Sequence, residues 1–317
     1  MKKNILVTGG AGFIGSHLVE LLLTKPDYHV LVADDLSSGR REYLPVEAEF
    51  FELDICTPQL EQVFSTHRID TVVHLAAQTM VGYSVAHPDE DARLNILGGI
   101  NVMECMRKYN VKNIIFASSA AVYGDDAPLP ITETAPVAPT SFYGLTKLTW
   151  EKYLAIYAEL YGMQATVLRF ANVYGPRQGD AGEGGVISIF AKCIRDRKPL
   201  HIFGDGRQTR DFIYVGDIVK AIADRLTKPV KYEVLNVSTY RETSLLELIA
   251  TLESLLGYKL PVNFLPPRPG DILNSVLDNT KITADGLRLD TDLAQGLQAL
   301  LRDILQQQQE GQCSVIE

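Results

Sequence analysis

Three polar side chains in the middle of the chain have the types and spacing of a proton-transfer site. Tyr143 and Lys147 are four residues apart at the start of a stretch with helical spacing, so both lie on one helical face. A phenol has an ordinary pKa of about 10 and is a poor base at neutral pH, but a neighbouring ammonium and a bound cationic group would together lower that pKa. Ser119, after an apolar segment, would bridge the phenol and a substrate hydroxyl. Because Tyr-x-x-x-Lys is common by chance, the surrounding elements must decide.

The first of these elements is a strand, a glycine turn and a helix at the start of the chain. Apolar residues predict a strand over 5–7 and a helix over 16–23, joined by Thr8-Gly9-Gly10-Ala11-Gly12-Phe13-Ile14-Gly15. Gly9 suits a tight turn, Gly12 lets the backbone approach a pyrophosphate, and Gly15 lets the helix pack on the strand. Any glycine-rich turn can join two elements. This setting, however, predicts a dinucleotide site at the helix N-terminus, with Phe13 and Ile14 as part of it.

An acidic residue follows at the distance that a dinucleotide fold requires. A predicted second strand over 29–33 leads to Asp34, 19 residues after Gly15, where a carboxylate holds the adenosine ribose hydroxyls. Capping of a turn is the alternative for this residue. Because a carboxylate repels a 2′-phosphate, the position favours NAD over NADP. With NAD bound, Tyr143 would take a proton from a sugar hydroxyl while hydride leaves the same carbon.

Alternating strand and helix patterns continue to about residue 174 and predict an α/β fold with a doubly wound parallel sheet. Strands are predicted at 49–53, 71–75, 113–117 and 164–169, and helices at 59–67, 89–108 and 144–161. Glycine and proline then cluster, and the strands become sparse. We predict an NAD-binding Rossmann domain over 1–174, with a returning segment at about 212–237. A smaller, interleaved substrate-binding lobe covers 175–211 and 238–317.

Composition limits the partners and the compartment. The 317 residues are 46% hydrophobic and 22% charged, as in an ordinary globular protein, and a net charge of −9 argues against nucleic acid or a membrane surface as partner. No apolar run approaches the ~18 residues that a membrane helix needs. The three apolar residues after Lys2-Lys3 are too few for a signal peptide. Four scattered cysteines indicate reduced thiols, no metal site and a cytoplasmic protein.

On these residues the chain resembles the extended short-chain dehydrogenase/reductase family, and within it the UDP-sugar 4-epimerases of the UDP-glucose 4-epimerase type. The resemblance runs from TGGAGFIG at Thr8 to RPGD at Arg268. It implies a resident NAD that is reduced and reoxidised within one turnover. The catalytic residues it implies are Ser119, Tyr143 and Lys147, of which the last two also contact the cofactor. Further implied cofactor contacts are Asp54 and Ile55 at the adenine, and Ala76 and Ala77 near the nicotinamide.

The resemblance also places a nucleotide-sugar site in the second half of the chain. Asn172 matches a residue that contacts the UDP, and Arg210 matches an arginine that clamps the diphosphate. Arg268 with Asp271 matches a second clamp on the nucleotide sugar. Arginine suits phosphate because its guanidinium donates two parallel hydrogen bonds. Surface ion pairing is the alternative for both arginines.

The positions after Ser119 separate the subfamilies. Sugar-nucleotide dehydratases and decarboxylases carry an acidic residue there, whereas this chain has Ala120 and Ala121, which cannot move a proton. The reductases that use NADPH carry a cysteine nearby, which is also missing, and Asp34 opposes NADPH. Epimerisation at C4 therefore fits best, with these other nucleotide-sugar activities as the first alternative. A non-catalytic NAD-sensing protein on the same fold is the rival from another class, but it would typically lack Tyr143 or Lys147.

One position bears on the sugar itself. In epimerases of this family, a residue four places after the acid of the second clamp gates the sugar pocket. Tyrosine there restricts the pocket to glucose and galactose, whereas a small residue admits a 2-acetamido group. The aligned residue is Ser275, so we expect UDP-GlcNAc and UDP-GalNAc as substrates beside UDP-Glc and UDP-Gal, unless the loop shifts the register by one. Gln78-Thr79-Met80 departs from the lysine of the galactose-pathway epimerases, which weakens a strict transfer from them.

The resemblance finally implies a homodimer, in which the helices near 89–108 and 144–161 pair with those of a second copy. The sequence shows that both helices carry enough apolar residues to allow such a contact.

Overall fold

The computed structural model describes residues 2–178, 185–267 and 273–313, with side chains described up to residue 306. Its strands are β1 (Lys3–Thr8), β2 (Tyr28–Asp34), β3 (Glu49–Glu52), β4 (Thr71–His74), β5 (Asn113–Ser119), β6 (Gln164–Phe170), β7 (Asn172–Tyr174), β8 (Leu200–Phe203), β9 (Thr209–Arg210), β10 (Phe212–Tyr214), β11 (Tyr232–Val237), β12 (Thr243–Ser244) and β13 (Val262–Leu265). Seven of them form one parallel sheet in the order β11-β6-β5-β4-β1-β2-β3. The predicted α/β fold with a parallel central sheet is confirmed.

Helices cover both faces of this sheet. They are α1 (Phe13–Leu23), α2 (Leu60–Thr66), α3 (Val81–Ala86), α4 (Pro88–Ala92), α5 (Gly98–Lys108), α6 (Phe142–Tyr161), α7 (Val186–Arg195), α8 (Val215–Arg225), α9 (Leu245–Leu256), α10 (Thr280–Thr283) and α11 (Leu293–Cys313). Along β1, Ile5 and Val7 pack in one core with residues of α1 and α8. Leu6 packs in a second core with α2, α5 and α6. Burial on both faces explains why these strands read as continuous apolar runs.

The strand order reverses beside β1. The chain passes from β1 to β2 and β3 on one side, and then returns to place β4 on the other side. At such a reversal the loops leave a crevice at the carboxyl ends of the strands, where ligands of open α/β sheets bind. The glycine turn after β1 and the segment after β4 therefore lie where a dinucleotide is expected.

The predicted helix over 89–108 is interrupted in the structure. Arg93–Leu97 forms a π-helical turn between α4 and α5. Such turns are rare and often lie at functional sites. The short helix α3 was not predicted, because six residues are too few to show a helical period.

A third core lies outside the sheet. It gathers apolar residues of α7, α9 and α11 with β8, among them Phe190, Leu200, Leu248 and Leu297. Three two-stranded pairs surround it, β10 with β7, β12 with β9 and β13 with β8. The chain returns from there through β10 and α8 to β11, which pairs with β6 at the sheet edge. This separate core supports the lobe division 1–174 with 212–237 against 175–211 with 238–317, which stays a proposal. In the described part of the chain, every helix is too short or too polar to span a lipid bilayer.

Candidate active site

Ser119, Tyr143 and Lys147 come together at the carboxyl end of β5. Ser119 is the last residue of that strand, and the other two lie in the first turns of α6. The Ser119 hydroxyl lies close enough to the Tyr143 phenol to lower its pKa. Lys147 Nζ lies 5.8 Å from the centre of the Tyr143 ring. The structure thus unites the three side chains that the sequence analysis singled out.

The start of α6 is held closely against the turn that follows β5. Ser141 caps the helix, because its Oγ accepts a hydrogen bond from Gly144 N at 3.1 Å. The Tyr143 amide donates to Ser84 Oγ at 3.1 Å. A Cβ on Gly144 would lie 2.5 Å from the carbonyl oxygen of Ala121, so only glycine allows this approach. These contacts fix the distance between Ser119 and the helix.

Lys147 is a buried ammonium, with 4% of its surface exposed. Its Nζ donates to the carbonyl oxygen of Ala117 at 2.8 Å and lies 4.9 Å from the centre of the Phe116 ring. Burial lowers the pKa of Lys147 to about 8, against the opposing charges of Asp91 and Glu151. The side chain therefore carries a positive charge at neutral pH, but only by a small margin.

Burial raises the pKa of Tyr143 above its ordinary value. The neighbouring Ser119 hydroxyl lowers that pKa, and the charge of Asp91 raises it further. A cationic nicotinamide would oppose burial and favour the phenolate. The lowering that the sequence analysis expects from the ammonium and a bound cationic group together therefore stays a prediction.

The glycine turn has the geometry of a pyrophosphate cradle. Gly9 has a φ of +69°, and a Cβ there would lie 2.6 Å from the backbone nitrogen of Ala76. A Cβ on Gly15 would lie 2.1 Å from the carbonyl oxygen of Gly9. Gly12 precedes α1 without any side-chain cap, so the first N–H groups of that helix, from Phe13 and Ile14 onwards, are available to an anion. The residues present fit a dinucleotide.

Asp34 ends β2 and is buried beside this turn. Its carboxylate accepts hydrogen bonds from Ala11 N and Leu36 N, each at 2.9 Å. Burial raises its pKa, and the two hydrogen bonds counteract part of the effect. The capping role that the sequence left open is therefore present, and the ribose contact stays a prediction.

The other predicted cofactor residues line the same edge of the sheet. Asp54 and Ile55 follow β3, where the Asp54 carboxylate accepts from Cys56 N at 2.7 Å and Ile55 is buried. Ala76 and Ala77 follow β4 and are half-buried. Small side chains at this strand end leave space in the crevice.

Two of the predicted substrate residues lie on the short strands β7 and β9. Asn172 begins β7, and its backbone nitrogen donates to the carbonyl oxygen of Asp211 at 2.9 Å. Arg210, next to Asp211 on β9, is half-buried, and its Nη1 donates to the Thr209 carbonyl at 2.7 Å. Arg268 and Asp271 lie outside the described residues.

Ser275 lies in a segment whose position is fixed on both sides. Thr209 N donates to the Leu273 carbonyl at 2.8 Å, and Ile131 N donates to the Val276 carbonyl at 2.9 Å. Ser275 lies between these contacts and is half-buried. The segment is thereby tied both to the strand of Arg210 and to the loop that follows Ser119.

Sequence reasoning missed a buried polar cluster behind α6. It consists of Gln78, Asp91, Asn95 and Thr146, which are all at least nine-tenths buried and mutually hydrogen-bonded. A signal was available, because Asp91 and Asn95 are four residues apart in a helical stretch and share a face. Their burial could not be read from spacing, since it depends on α6 packing over them.

Known proteins resemble this chain along nearly its whole length. Residues 5–238 match the family described as "NAD dependent epimerase/dehydratase family". A putative UDP-glucose 4-epimerase of Methanocaldococcus jannaschii is 42% identical over 299 residues, which are 94% of this chain and 97% of the relative. The structure of the Thermotoga maritima UDP-glucose 4-epimerase with UDP-glucose superposes with a TM-score of 0.91 at 42% identity, covering 96% of this chain and 99% of that one.

A third relative has a different sugar in its name. The UDP-N-acetylglucosamine 4-epimerase of Methanobrevibacter ruminantium, in complex with UDP-N-acetylmuramic acid, gives a TM-score of 0.90 at 34% identity and covers 97% of this chain and 100% of that one. Relatives with either sugar therefore share this architecture. The chain belongs to the NAD dependent epimerase/dehydratase family, as its resemblance to extended short-chain dehydrogenases/reductases indicated, and its cofactor is NAD.

Proposed function

We propose that this protein is a UDP-sugar 4-epimerase that inverts C4 of UDP-Glc and UDP-Gal, and also of UDP-GlcNAc and UDP-GalNAc, through a 4-keto intermediate. The observation that carries the proposal is the position of Ser119 at the end of β5 beside Tyr143, with Lys147 one helical turn further on in α6. This group lies at the same sheet edge as the glycine turn. The relatives named above act on UDP-sugars according to their names.

The chain's own residues divide the proton chemistry. Tyr143 removes the proton of the 4-hydroxyl group, and Ser119 aligns that hydroxyl with the phenol. Lys147, held by the Ala117 carbonyl, keeps a positive charge beside the phenolate that forms. NAD+, which the glycine turn and Asp34 would hold, would supply the hydride chemistry at C4. Tyr143 returns the proton to the C4 oxygen at the end of the turnover.

Firm binding of the nucleotide keeps the keto sugar in the site while it turns over. In the proposal, Asn172 and Arg210 hold the UDP together with Arg268 and Asp271. Because this part of the substrate does not react, the sugar ring can rotate and present its other face without leaving. The alternatives that eliminate water or carbon dioxide lack support, since Ala120 and Ala121 occupy the turn directly after Ser119.

The breadth of the substrate range rests on Ser275. Its register is supported by hydrogen bonds on both sides, from Thr209 to Leu273 and from Ile131 to Val276. A Ser275→Tyr variant should lose conversion of UDP-GalNAc and keep that of UDP-Gal. Leu273→Tyr, which places the same ring at an exposed neighbouring position, is the matched control and should convert both.

The decisive experiment uses purified protein without added NAD. UDP-Gal and UDP-GalNAc are incubated separately, and proton NMR follows the 4-epimer. We expect conversion of both by the wild type and of neither by Tyr143→Phe. Conversion of UDP-Gal alone would keep the mechanism and remove the argument from Ser275. If wild type and Tyr143→Phe behave alike, the epimerase proposal fails.

We further propose that the protein is a homodimer joined through α5 and α6. Large apolar side chains stand exposed on α6 and on the π turn before α5, namely Leu97, Leu145, Ile156 and Leu160. Exposed apolar side chains that form a patch commonly mark a protein interface. Cys56, Cys105 and Cys193 are free thiols, which supports the cytoplasm as the location.

A further inference from the structure

Asp91 in α4 is a fully buried carboxylate behind the catalytic helix, with 0% of its surface exposed. Its Oδ1 accepts hydrogen bonds from Gln78 Nε2 at 2.7 Å and from Asn95 Nδ2 at 3.1 Å. Its Oδ2 accepts from Thr146 Oγ1 at 2.9 Å. The segment after β4, the π-helical turn and α6 therefore all meet at one carboxylate.

The orientation of both amide side chains follows from backbone contacts. Asn95 Oδ1 accepts from Gln78 N at 2.8 Å, and Gln78 Oε1 accepts from Met80 N. Each amide must therefore turn its NH2 group towards Asp91. The Thr146 hydroxyl accepts a hydrogen bond from Asn95 at 3.2 Å. Its own proton is shared between the Asp91 carboxylate and the nearby Tyr143 carbonyl. A carboxyl group surrounded only by donors has the partners of its ionised form.

Among the described residues, the buried carboxylate of Asp91 has no ion-pair partner. In the part of the chain that the structure describes, no lysine, arginine or histidine nitrogen forms a salt bridge with Asp91 within 4.0 Å. Glu151, the other buried carboxylate near Lys147, is paired with Arg169 at 2.6 Å. The cation on which the charge of Asp91 acts is Lys147. Because burial of a carboxylate without an ion pair costs free energy, the position of Asp91 behind the catalytic helix indicates a function.

We propose that Asp91 is a positioning residue of this site: its hydrogen bonds to Gln78, Asn95 and Thr146 hold the Tyr143–Lys147 turn against the segment 76–80, and its charge acts on the ammonium that this turn carries. The proposal rests on the epimerase function proposed above. Asp91 would thereby connect the proton-transfer residues with the segment next to the expected nicotinamide. Thr146, on the catalytic helix, is its contact to the first, and Gln78 is its contact to the second.

Removal of this charge should move two titrations in the same direction. Asp91 raises the pKa of Lys147 and also that of Tyr143. The other titratable groups around Lys147 are Glu151, paired with Arg169, and His74, whose pKa burial lowers to about 3, so that it stays neutral. Asp91→Asn therefore lowers both pKa values. The acidic and alkaline limbs of the pH profile of kcat should both move to lower pH by about one unit.

The test compares Asp91→Asn with Asp217→Asn in the holoenzyme. Asp217, in α8, is also 0% exposed and accepts hydrogen bonds from Thr291 N and Oγ1, both at 2.9 Å. It serves as the control for the loss of a buried carboxylate elsewhere. We expect Asp91→Asn to lower kcat about 10- to 100-fold with a small change in KM, and to shift the pH profile. Asp217→Asn should leave the pH profile in place.

A second readout does not require activity. Trp150 is the single tryptophan of the chain, and its ring lies 4.8 Å from that of Phe116, over which Lys147 Nζ is placed. Its fluorescence should therefore follow the titration of Lys147, with a midpoint near pH 8 that Asp91→Asn moves lower. Thr146→Val removes the hydrogen bonds of the Thr146 hydroxyl, including the one to Asp91, and keeps the Asp91 charge, so it should lower kcat without moving the midpoint.

The outcomes separate the two proposals. An unchanged pH profile and an unchanged Trp150 midpoint in Asp91→Asn would overturn the role of Asp91, as would an equal shift in Asp217→Asn. If Asp91→Asn does not fold, unaltered kcat in Thr146→Val overturns the positioning role. If the wild type converts neither sugar nucleotide, the epimerase function fails, and the Trp150 midpoint still decides whether Asp91 acts on Lys147.

Discussion

Among single residues, Lys147 should make the stability of this protein depend on pH. Its pKa is lowered by burial from 10.5 to about 8, so between these values the folded protein binds fewer protons than the unfolded chain. The free-energy cost of burying the Lys147 ammonium is therefore present in full below pH 8. It disappears as the pH rises towards 10.5. We expect wild type to gain about 3 kcal/mol relative to Lys147→Met across this window. Urea unfolding of both proteins at the two ends measures it, and a constant difference would contradict the pKa.

The same residues show what could be predicted at this scale. Ser119, Tyr143 and Lys147 were found because helical spacing and motif order are properties of the sequence. The rise that burial causes in the pKa of Tyr143 could not be predicted, because burial arises from packing. Asp91 was missed for the same reason. Nothing local distinguishes a buried helical aspartate from an exposed one.

At the scale of elements, the contact between the glycine turn and α1 makes Gly15 intolerant of any side chain. A Cβ there would lie 2.1 Å from the Gly9 carbonyl oxygen and 2.6 Å from the Gly10 Cα, and backbone atoms cannot move aside as a side chain can. We expect Gly15→Ala to lower the free energy of unfolding by about 1–3 kcal/mol. It should also reduce the NAD that copurifies with the protein.

Gly162→Ala is the control for that substitution. Gly162 has a positive φ of +61°, and no atom lies within 4 Å of the added Cβ. The variant should lose some stability through backbone strain and keep its NAD content. Thermal unfolding and the nicotinamide released per chain on denaturation are the measurements. Equal NAD loss in both variants would show that the close approach at Gly15 does not shape the cofactor site.

The elements themselves were predictable where they are long and periodic. Helix α6 (Phe142–Tyr161) and strand β4 (Thr71–His74) lie within two residues of their predicted bounds, 144–161 and 71–75. The pairs of β9 with β12 and of β10 with β7 were not foreseen, because strands of two or three residues show no alternation. The π turn Arg93–Leu97 escaped prediction because it changes the helical period by a fraction of a residue per turn.

At the scale of the whole molecule, the large apolar side chains exposed on α6 predict a homodimer. Ile156 and Leu160 on α6 are 56% and 66% exposed. A glutamate at either position would place a charge in the middle of the proposed dimer contact and should yield a monomer. Leu305→Glu, at a residue of α11 that is 48% exposed, is the matched control and should leave the dimer intact. Light scattering during gel filtration gives the mass. A monomeric wild type would refute the proposed interface.

The path of the chain through β10, α8 and β11 has a consequence for how such proteins diversify. The edge strand β11 enters the sheet only after the chain has passed through α7, β8 and β9 outside it. A gene rearrangement with a single breakpoint near residue 174 would separate β6 from its neighbour β11 and leave β6 as an unpaired edge of the sheet. Exchange of the outer lobe would need breakpoints on both sides of 212–237. If Ser275 sets the sugar preference as proposed, a point substitution in the segment 273–277 changes that preference without disturbing the sheet.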